Sequence, residues 1–420
     1  MRVLILTVGT RGDIAPFAAL AERLAAEGHD VALGAPEAYR EAVPEGVRFE
    51  PMATEMDDVM RASMGQSTGP REALSLARRM TAAMRVSLGD QWEIAQRFEP
   101  TVVVAHPKTL GGPHIAERLG VPAVASLPLP FLTPTAAFPI PVVSRPLGER
   151  LNRATYAFNR STGLAYGGMV NRFRTDTLGL RRTSRFSDYL HTPDGERMPV
   201  LYSFSRHVVP RPADYPDSAH ITGYWWRTPR HDWTPPTELD DFLARGGPVV
   251  YIGFGSMGFA RDAERRGEII RDAVRRAGIR AVVWKGWGAV RMPADDHVHV
   301  VDEVPHDWLF PRVAAVVHHG GAGTTAAGLR AGRPTLICPV LGDQPFWGDR
   351  VRDLGAGPRP LRLRRLSADA LAAALNDLVA NESYKATATR IGDALSSEDG
   401  AGEAVRVLER IESRTTPPSP

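Results

Sequence analysis

The sequence predicts an α/β protein with two doubly wound parallel-sheet domains. Short apolar runs alternate with helical patterns in both halves of the chain, and a Pro/Trp-rich stretch separates the halves. A chain of 420 residues is also too long for one compact core, and its 43% hydrophobic and 24% charged content is typical of globular proteins. We therefore expect two Rossmann-like domains with a ligand-binding cleft between them.

The first half opens with a strand–helix–strand unit. Val3–Val8 is a continuous apolar run, as in a buried parallel strand. Ile14–Glu27 carries apolar residues at helical spacing, and Gly28 ends that helix. The same alternation predicts strands at Val31–Leu33, Thr101–Ala105 and Ala123–Ser126, and a helix at Pro113–Leu119.

Two stretches interrupt this regular pattern. Residues 52–95 are methionine-rich and helical in character, and residues 131–200 are proline-rich at first and arginine-rich from Arg145 to Arg185. Insertions on a regular scaffold usually carry specificity, so we expect these two stretches to do so.

The domain boundaries follow from the Pro/Trp-rich text. We expect a first domain at 1–216, a linker at 217–237 and a second domain at 238–398, with a C-terminal helix at 399–414 and a disordered tail at 415–420. The second half repeats the strand–helix alternation. Its predicted strands are Val249–Ile252, Ala281–Trp284, Val298–Val301, Ala314–Val317 and Thr335–Cys338, and its predicted helices are Glu264–Ala277, Ala326–Ala331 and Gly402–Glu412.

Composition excludes several classes of function. The formal net charge of +3 gives no support to nucleic-acid binding. Cys338 is the only cysteine, which excludes a disulfide framework and a cysteine metal cluster, and its apolar surroundings favour a buried thiol. Lysine occurs only at Lys108, Lys285 and Lys385. Because no signal-peptide pattern and no 18-residue apolar run occurs, we expect a cytoplasmic protein.

The strongest local motif is HHGGAGTT at His318–Thr325, which follows a predicted strand and opens a predicted helix. Its glycines let the backbone approach a ligand closely, and the helix start offers N–H groups that suit a phosphate. Thr324 and Thr325 can add hydroxyl donors, and His319 can donate to a diphosphate oxygen. The alternative is a glycine-rich turn in which threonine caps the helix.

Two further loops follow predicted strands of the second half. In LGDQPFWG, Asp343 and Gln344 suit the vicinal hydroxyls of a sugar, although an ordinary polar turn uses the same residues. The loop GFGSMG at Gly253–Gly258 has the GxGxxG spacing of an NAD-binding domain. An NAD site needs an acidic residue about 20 positions on, whereas the next strand runs into Lys285. We therefore favour a second phosphate-facing loop with Ser256 as a donor.

Candidate proton acceptors lie in the first half. The loop GTRGDIAP places Asp13 between the first strand and the first helix, where a carboxylate can act as a general base. Asp is also a favoured helix N-cap, and Pro16 fits a first helical turn. His106 and His114, near the third predicted strand, are alternative bases. No HExxH or other ligand-spaced cluster, GxSxG elbow or CxxC pair occurs, so we expect no catalytic metal.

Together these motifs resemble those of the bacterial glycosyltransferases that glycosylate glycopeptide-antibiotic aglycones, and of the related sterol 3-β-glucosyltransferases. The resemblance covers nearly the whole chain, from VLILTVGTRGDIAPFAALAERL at the N-terminus to HHGGAGTT…DQPFWG in the second half. It implies a GT-B fold and an inverting, nucleotide-sugar-dependent enzyme. The N-terminal half would bind the acceptor, and the C-terminal half would bind the nucleotide-sugar.

The resemblance also implies roles for individual residues. Asp13 matches the carboxylate proposed as general base. Plant relatives use a His oriented by an Asp near the third strand; here that loop reads AHPK without an acid, so we expect Asp13 to act without a His–Asp pair. Candidate acceptor-binding residues are Thr10, Arg11 and His106. Candidate donor-binding residues are Ser256, His319, Gly321, Gly323 and Thr324 near the diphosphate, Val304 at the nucleobase, Trp287 near the donor cleft, and Asp343 and Gln344 at the sugar.

The resulting hypothesis is transfer of a hexose from a UDP- or dTDP-sugar to a hydroxyl of a lipophilic small molecule, a natural-product aglycone. No cofactor or metal is expected, because amide N–H groups and an imidazole would stabilise the leaving diphosphate. A sterol or membrane-lipid acceptor is the alternative, since the arginines of residues 145–185 favour an anionic membrane surface and hence peripheral membrane contact. A nucleotide-sugar epimerase and an NAD enzyme are the less favoured alternatives. The acceptor, the nucleotide and the oligomeric state stay open.

Overall fold

The structure is a computed structural model in which two compact units can be distinguished. It describes residues 1–52, 59, 70–184, 191–192, 195–228, 233–255, 262–286 and 290–415. The first unit comprises Met1–Arg206, Pro210–Thr228 and Asp399–Pro420, and the second comprises His207–Val209 and Pro229–Glu398. Among the described helices, none has both the length and the apolar character needed to span a bilayer.

The described part of the first unit contains a sheet of seven parallel strands in the order β3-β2-β1-β4-β5-β6-β7. The strands are β1 Arg2–Leu6, β2 Asp30–Ala35, β3 Arg48–Pro51, β4 Val102–Ala105, β5 Ala123–Leu127, β6 Val200–Tyr202 and β7 Ala219–Ile221. The helices are α1 Arg11–Ala26, α2 Pro70–Phe98, α3 Gly112–Leu119, α4 Glu149–Thr155 and α5 Arg160–Arg172. The strand order changes direction between β1 and β4, and such a switch point opens a crevice at the carboxyl ends of the strands.

Alternating side chains of the first sheet build two cores, one on each face. On one face Val3 and Ile5 pack with α1, and on the other Leu4 and Leu6 pack with residues of α2, α3 and α5. Both faces are therefore covered by helices, which explains why β1 reads as a continuous apolar run rather than an alternating one.

The second unit repeats this construction. Its described strands form a parallel sheet in the order β10-β9-β8-β11-β12, with the switch point between β8 and β11. They are β8 Val249–Gly253, β9 Arg280–Trp284, β10 Val298–Val301, β11 Ala315–His318 and β12 Thr335–Ile337. The helices are α6 Thr237–Ala244, α7 Ala263–Ala277, α8 His306–Leu309, α9 Ala322–Arg330, α10 Gln344–Leu354, α11 Ala368–Ala380 and α12 Glu382–Ser396. The predicted fold class of two parallel α/β sheets is confirmed.

The last helix, α13 Gly400–Thr415, returns to the first unit. Ala404, Val405 and Leu408 are buried in the same core as Leu20 and Leu24 of α1. Arg23 of α1 donates to both carboxylate oxygens of Asp399, just before α13, over 2.8 and 3.0 Å. The first unit is thus assembled from both ends of the chain.

The predicted linker at 217–237 is wrong for its first part. β7, Ala219–Ile221, pairs with β6 as the last strand of the first sheet. Trp225 is 5% exposed, contacts Phe17 edge-on and donates its indole N–H to Thr222 over 2.9 Å. The first unit therefore extends to Thr228 rather than 216. The proline- and tryptophan-rich composition of this stretch belongs to the last strand of the sheet and the buried segment after it. A linker can have the same composition, so composition alone does not distinguish the two.

Candidate functional site

In the first unit, Asp13 and His106 lie at the switch point of the sheet. Asp13 follows β1 and His106 follows β4, and these two strands are neighbours in the parallel sheet. Their carboxyl ends meet at one edge, so the two loops approach each other. Thr7 fixes the Asp13 backbone by donating its hydroxyl to the Asp13 carbonyl over 2.9 Å.

The Asp13 carboxylate divides its two oxygens between two tasks. Oδ2 accepts the backbone N–H of Thr10 over 2.9 Å and the Thr10 hydroxyl over 3.2 Å. Oδ1 lies 2.7 Å from the Lys108 Nζ and 3.5 Å from the His106 Nε2. Gly9 has φ +130°, and a Cβ there would lie 2.3 Å from Asp13 Oδ2, so a larger residue would be strained and would displace the carboxylate. Oδ2 thus caps helix α1, and Oδ1 is the oxygen that could accept a proton.

Helix α1 begins at Arg11, three residues before the predicted start, with Thr10 as its N-cap. The expectation that Asp13 itself is the N-cap is therefore wrong; it is the third residue of the helix and reaches back to the cap. Pro16 consequently lies inside α1 rather than in its first turn. Its missing N–H removes the donor that would ordinarily bond to the Gly12 carbonyl.

The expectation that Asp13 stands without a histidine is also wrong. His106 is 4% exposed, and its Nδ1 accepts the backbone N–H of Lys108 over 3.1 Å. An unprotonated Nδ1 leaves the proton of a neutral ring on Nε2, which faces Asp13. In this arrangement both ring nitrogens of His106 face protein groups: Nδ1 faces the Lys108 N–H, and Nε2 lies 3.5 Å from Asp13 Oδ1. His114, the other predicted base, instead contacts Arg174 Nη1 at 2.9 Å, and the same guanidinium is paired with Glu117.

Electrostatics keep Asp13 ionised and His106 neutral. Burial acts to raise the pKa of Asp13, but Lys108, His106 and the hydrogen bonds from Lys108 and Thr10 outweigh it and hold that pKa below its ordinary value. Burial lowers the pKa of His106 to about 4. The Asp13 charge opposes this shift, whereas the Lys108 charge adds to it. An ionised, largely buried carboxylate at a switch point is suited to accept a proton.

In the second unit, two glycines enclose the ring of His319. A Cβ on Gly255 would lie 2.5 Å from Cε1 of this imidazole, and a Cβ on Gly321 would lie 2.8 Å from its Nε2. Gly255 follows β8 and His319 follows β11, neighbouring strands at the switch point of the second sheet. Gly255 and Gly321, one from each glycine-rich motif, thus lie against the same imidazole. Burial lowers the pKa of His319 to about 4, so its ring is neutral at neutral pH.

Helix α9 begins at Ala322, three residues beyond His319. Gly321 is its N-cap without a side-chain cap bond, so the N–H groups of Ala322, Gly323 and Thr324 lie in the unbonded first turn. Gly323 is exposed and Thr324 is half-buried. Thr325 is fully buried and donates its hydroxyl to the Gly321 carbonyl over 2.9 Å, so the predicted ligand donor at Thr325 has a structural role instead.

Asp343 is the N-cap of α10 and Gln344 is the first residue of that helix, and both side chains already make hydrogen bonds within the protein. The Asp343 Oδ2 accepts the indole N–H of Trp347 over 2.8 Å. Gln344 is 5% exposed, and its Oε1 accepts the backbone N–H groups of Val340 and Leu341 over 2.7 and 3.2 Å. Of the Gln344 amide, only the NH₂ group is left for the predicted sugar contact.

The remaining predicted site residues are Thr10, Arg11, Val304, Ser256 and Trp287. Thr10 caps α1, and Arg11 is exposed at its first residue. Val304 is 7% exposed and packs in the core beside Tyr251 and Phe310, so any nucleobase contact falls to its backbone. Ser256 and Trp287 lie outside the described residues.

Sequence reasoning missed Lys108 and the role of Gly9. Both stand in short motifs, AHPK and GTRGD. The signal for Lys108 is that it is one of three lysines in a chain whose basic residues are otherwise arginine. Its closeness to Asp13 depends on β4 lying beside β1, a neighbourhood that the local sequence does not specify.

Two domain families match the chain. The family described as Glycosyltransferase family 28 N-terminal domain matches residues 3–138. The family described as Erythromycin biosynthesis protein CIII-like, C-terminal domain, matches residues 288–411.

The chain is also similar to curated proteins over almost its full length. Sterol 3-beta-glucosyltransferase UGT80B1 of Arabidopsis thaliana is 36% identical over 423 residues, which cover 98% of this chain and 68% of that protein. UGT80A2 of the same plant is 36% identical, with 97% and 65% covered. The sterol 3-beta-glucosyltransferase of Emericella nidulans is 35% identical, with 99% and 30% covered. The chain thus spans less than a third of that fungal relative.

Solved structures share the fold. The glycotransferase of kitacinnamycin superimposes with a TM-score of 0.72 at 18% identity, covering 98% of each chain. The glycosyltransferase VinC, solved in complex with dTDP, gives 0.67 at 22% identity, covering 99% of this chain and 100% of VinC. These neighbours support the GT-B fold class, and the identity to the plant proteins goes further. The chain belongs to the glycosyltransferase family that includes the sterol 3-beta-glucosyltransferases.

Proposed function

We propose that this chain is an inverting glycosyltransferase that moves a hexose from a UDP- or dTDP-sugar to a hydroxyl of a lipophilic small molecule, a natural-product aglycone. Asp13 is the general base in this proposal. The observation that carries it is the Asp13 carboxylate, whose Oδ2 is fixed by Thr10 while Oδ1 is directed to the side chains of the β4 loop.

In the proposed step, Asp13 Oδ1 takes the proton of the acceptor hydroxyl. The acceptor oxygen forms a bond to C1 of the sugar while the bond from C1 to the phosphate oxygen breaks on the opposite face. The electron pair of that bond leaves with the nucleoside diphosphate. A single displacement inverts C1, so an α-linked donor gives a β-glycoside.

The second unit is proposed to stabilise the leaving diphosphate without a metal. His319 can donate an N–H from its neutral ring, and the first-turn N–H groups of α9 add donors together with the positive end of the helix dipole. Two features support nucleotide-sugar binding there: these donors, and the dTDP in the structure of VinC. We expect a chelator to leave turnover unchanged, measured as glycoside formation with and without EDTA; loss of turnover that added magnesium restores would contradict metal independence.

Asp13→Asn tests the base directly. A positioned general base is typically worth about 10²–10⁴-fold in rate, so the variant should lose at least about a hundredfold in kcat. It should still bind UDP or dTDP, measured by calorimetry, because the nucleotide is assigned to the other unit. Glu37→Gln, a surface acid of the same unit paired with Arg40, is the matched control. Near-normal kcat in Asp13→Asn would refute the assignment.

A sterol or membrane-lipid acceptor is the second candidate. The curated relatives are named for sterol 3-beta-glucosyl transfer. The α4–α5 region also exposes large apolar side chains, with Leu151 at 60%, Phe158 at 54% and Leu164 at 57%, beside the exposed Arg150 and Arg160. Exposed apolar and basic side chains in one segment of the chain suit an anionic membrane.

An acceptor screen and a vesicle assay distinguish these candidates. A thermal-shift panel of UDP- and dTDP-sugars identifies the donor, and turnover is then compared on phenolic aglycones and cholesterol. Co-sedimentation with phosphatidylserine vesicles tests membrane contact, and no binding to these vesicles would remove it. Donor conversion without any acceptor would indicate an epimerase instead.

A further inference from the structure

The chemically available oxygen of Asp13 already has a partner within the protein. Lys108 Nζ lies 2.7 Å from Oδ1, the distance of a charge-assisted hydrogen bond. A proton acceptor must be within hydrogen-bonding reach of the hydroxyl it deprotonates. The ammonium therefore covers the position that the acceptor hydroxyl needs.

The backbone around Lys108 is held in place, whereas its side chain is free to leave Asp13. The Lys108 backbone N–H is held by His106 Nδ1, and buried Gln91 donates to the Thr109 carbonyl over 2.8 Å. Leu110 follows with φ +62°, a conformation that non-glycine residues rarely adopt, so its surroundings must enforce it. The backbone of the turn is therefore fixed, whereas the Lys108 side chain is 53% exposed.

Lysine, rather than arginine, suits a contact with Asp13 that can be broken. Arginine would bring a planar fork suited to bidentate carboxylate binding, whereas lysine offers a compact charge on a flexible stem. This chain uses arginine for nearly every basic side chain, yet it has lysine at this position.

We propose that Lys108 is a displaceable cap on Asp13, whose ammonium covers Oδ1 until the acceptor hydroxyl takes that position. This proposal rests on the proposed role of Asp13 as base. Lys108 is then a positioning residue: it reserves the reactive oxygen and yields it to the acceptor.

Displacement of the Lys108 ammonium makes the Asp13 carboxylate more basic. The charged or titratable groups that act on this carboxyl are Lys108 and His106, and both lower its pKa. While the ammonium is in place, Asp13 stays ionised and ready. When the ammonium leaves, burial, the largest influence and the one that raises the pKa, acts against weaker opposition. The carboxylate thus becomes a stronger base when its substrate arrives.

The small number of lysines makes a direct experiment possible. Reductive ¹³C-methylation keeps the charge of each amine and labels Lys108, Lys285, Lys385 and the N-terminus. The carbon–proton NMR spectrum of the full chain then contains few signals, and Lys108→Arg identifies the one from Lys108. We expect Asp13→Asn to shift the Lys108 signal and to leave that of Lys385, which pairs with Glu382, unchanged.

The displacement itself is tested by adding the acceptor. Saturation with the turned-over probe, 4-methylumbelliferone or cyclodextrin-solubilised cholesterol, should move the Lys108 signal of the wild-type protein towards its position in Asp13→Asn. A Lys108 signal insensitive to Asp13→Asn would overturn the ion pair, and one insensitive to a bound acceptor would overturn the displacement. Either result leaves the Asp13→Asn rate test intact, so the two failures are distinguishable.

A pH–rate profile gives a second readout that a merely structural role would not move. Lys108→Met removes a group that lowers the pKa of Asp13, so the acid limb of kcat/KM should move to higher pH, by about one unit for a tenfold change in the ionisation ratio. Lys108→Arg should keep the limb in place and raise the acceptor KM, since a guanidinium fork is harder to displace. Lys385→Met is the control. An unshifted limb in Lys108→Met would contradict the proposal.

Discussion

At the scale of single residues, glycines in the two sites are set by what their neighbours need. Gly9 leaves room for the Asp13 carboxylate, and Gly255 and Gly321 leave room for the His319 ring. Other glycines, such as Gly246 and Gly323, have no atom within 4 Å of the position that a Cβ would take, and they carry no such demand. The site glycines therefore act through side-chain placement as well as through close approach of a ligand.

Gly321→Ala tests this view of the nucleotide site. An added Cβ would lie 2.8 Å from His319 Nε2, so the imidazole must move away from the start of α9. We expect the Kd for UDP or dTDP to rise about tenfold, or about 1.4 kcal/mol, because one diphosphate donor is misplaced. Calorimetry measures the affinity, and circular dichroism checks that the variant folds.

The matched control for this substitution is Gly246→Ala, also in the second unit. It has an ordinary φ and nothing near its Cβ position, so its nucleotide affinity should equal that of the wild type. If Gly321→Ala bound nucleotide as tightly as Gly246→Ala, the imidazole would have no part in diphosphate binding.

At the scale of elements, local sequence predicts the strands that stand out as short apolar runs, and it misses β6 and β7. The bounds predicted for β10, Val298–Val301, agree with the structure to the residue, because its three valines form a short apolar run between polar stretches. β6 and β7 have only three residues each, and they become strands through pairing with β5 and with each other. Tertiary pairing of this kind leaves no local period to detect.

The candidate site divides in the same way. Asp13, His319 and the start of α9 belong to junctions between a strand and the following helix, and each junction has a recognisable motif. The contact of His106 with Asp13 and the enclosure of His319 by Gly255 depend on strand order, since each joins loops far apart in the sequence. Motifs therefore predict the residues, whereas their partners require the topology.

Helix α13 provides a test at this scale, because it is the last helix that the structure describes and yet completes the first core. Leu408 is fully buried there with Leu20 and Leu24. Leu408→Ala should cost about 2–5 kcal/mol of unfolding free energy through lost burial and a residual cavity. Urea unfolding followed by circular dichroism measures the change.

Arg406→Ala on the same helix is the comparison. Its side chain is half exposed and pairs with Glu403, and such surface pairs are usually worth about 1 kcal/mol or less. Equal effects of the two substitutions would mean that α13 is held to the first unit by its charged surface rather than by its apolar face.

At the scale of the whole molecule, both units keep histidines neutral inside the fold. Burial, together with Arg174, lowers the pKa of His114 to about 3 in the first unit, and burial lowers that of His319 to about 4 in the second. In the unfolded chain these groups titrate near their ordinary value of about 6.5. The unfolded state therefore binds more protons than the folded state at mildly acidic pH.

This difference predicts that the protein loses stability as the pH falls from about 6.5 towards 4, by roughly 1.4 kcal/mol per pH unit for each buried histidine. The stabilisation is fully present above the unfolded pKa, because the ring is then neutral in both states. Urea midpoints at pH 7 and pH 5 measure it. His114→Gln in the first unit should flatten the pH dependence of the urea midpoint, whereas His297→Gln, at an exposed position of the second unit, should not. An unchanged pH dependence in His114→Gln would contradict this prediction. It would mean that the His114 ring is already protonated in the folded protein and does not accept a hydrogen bond from Arg174.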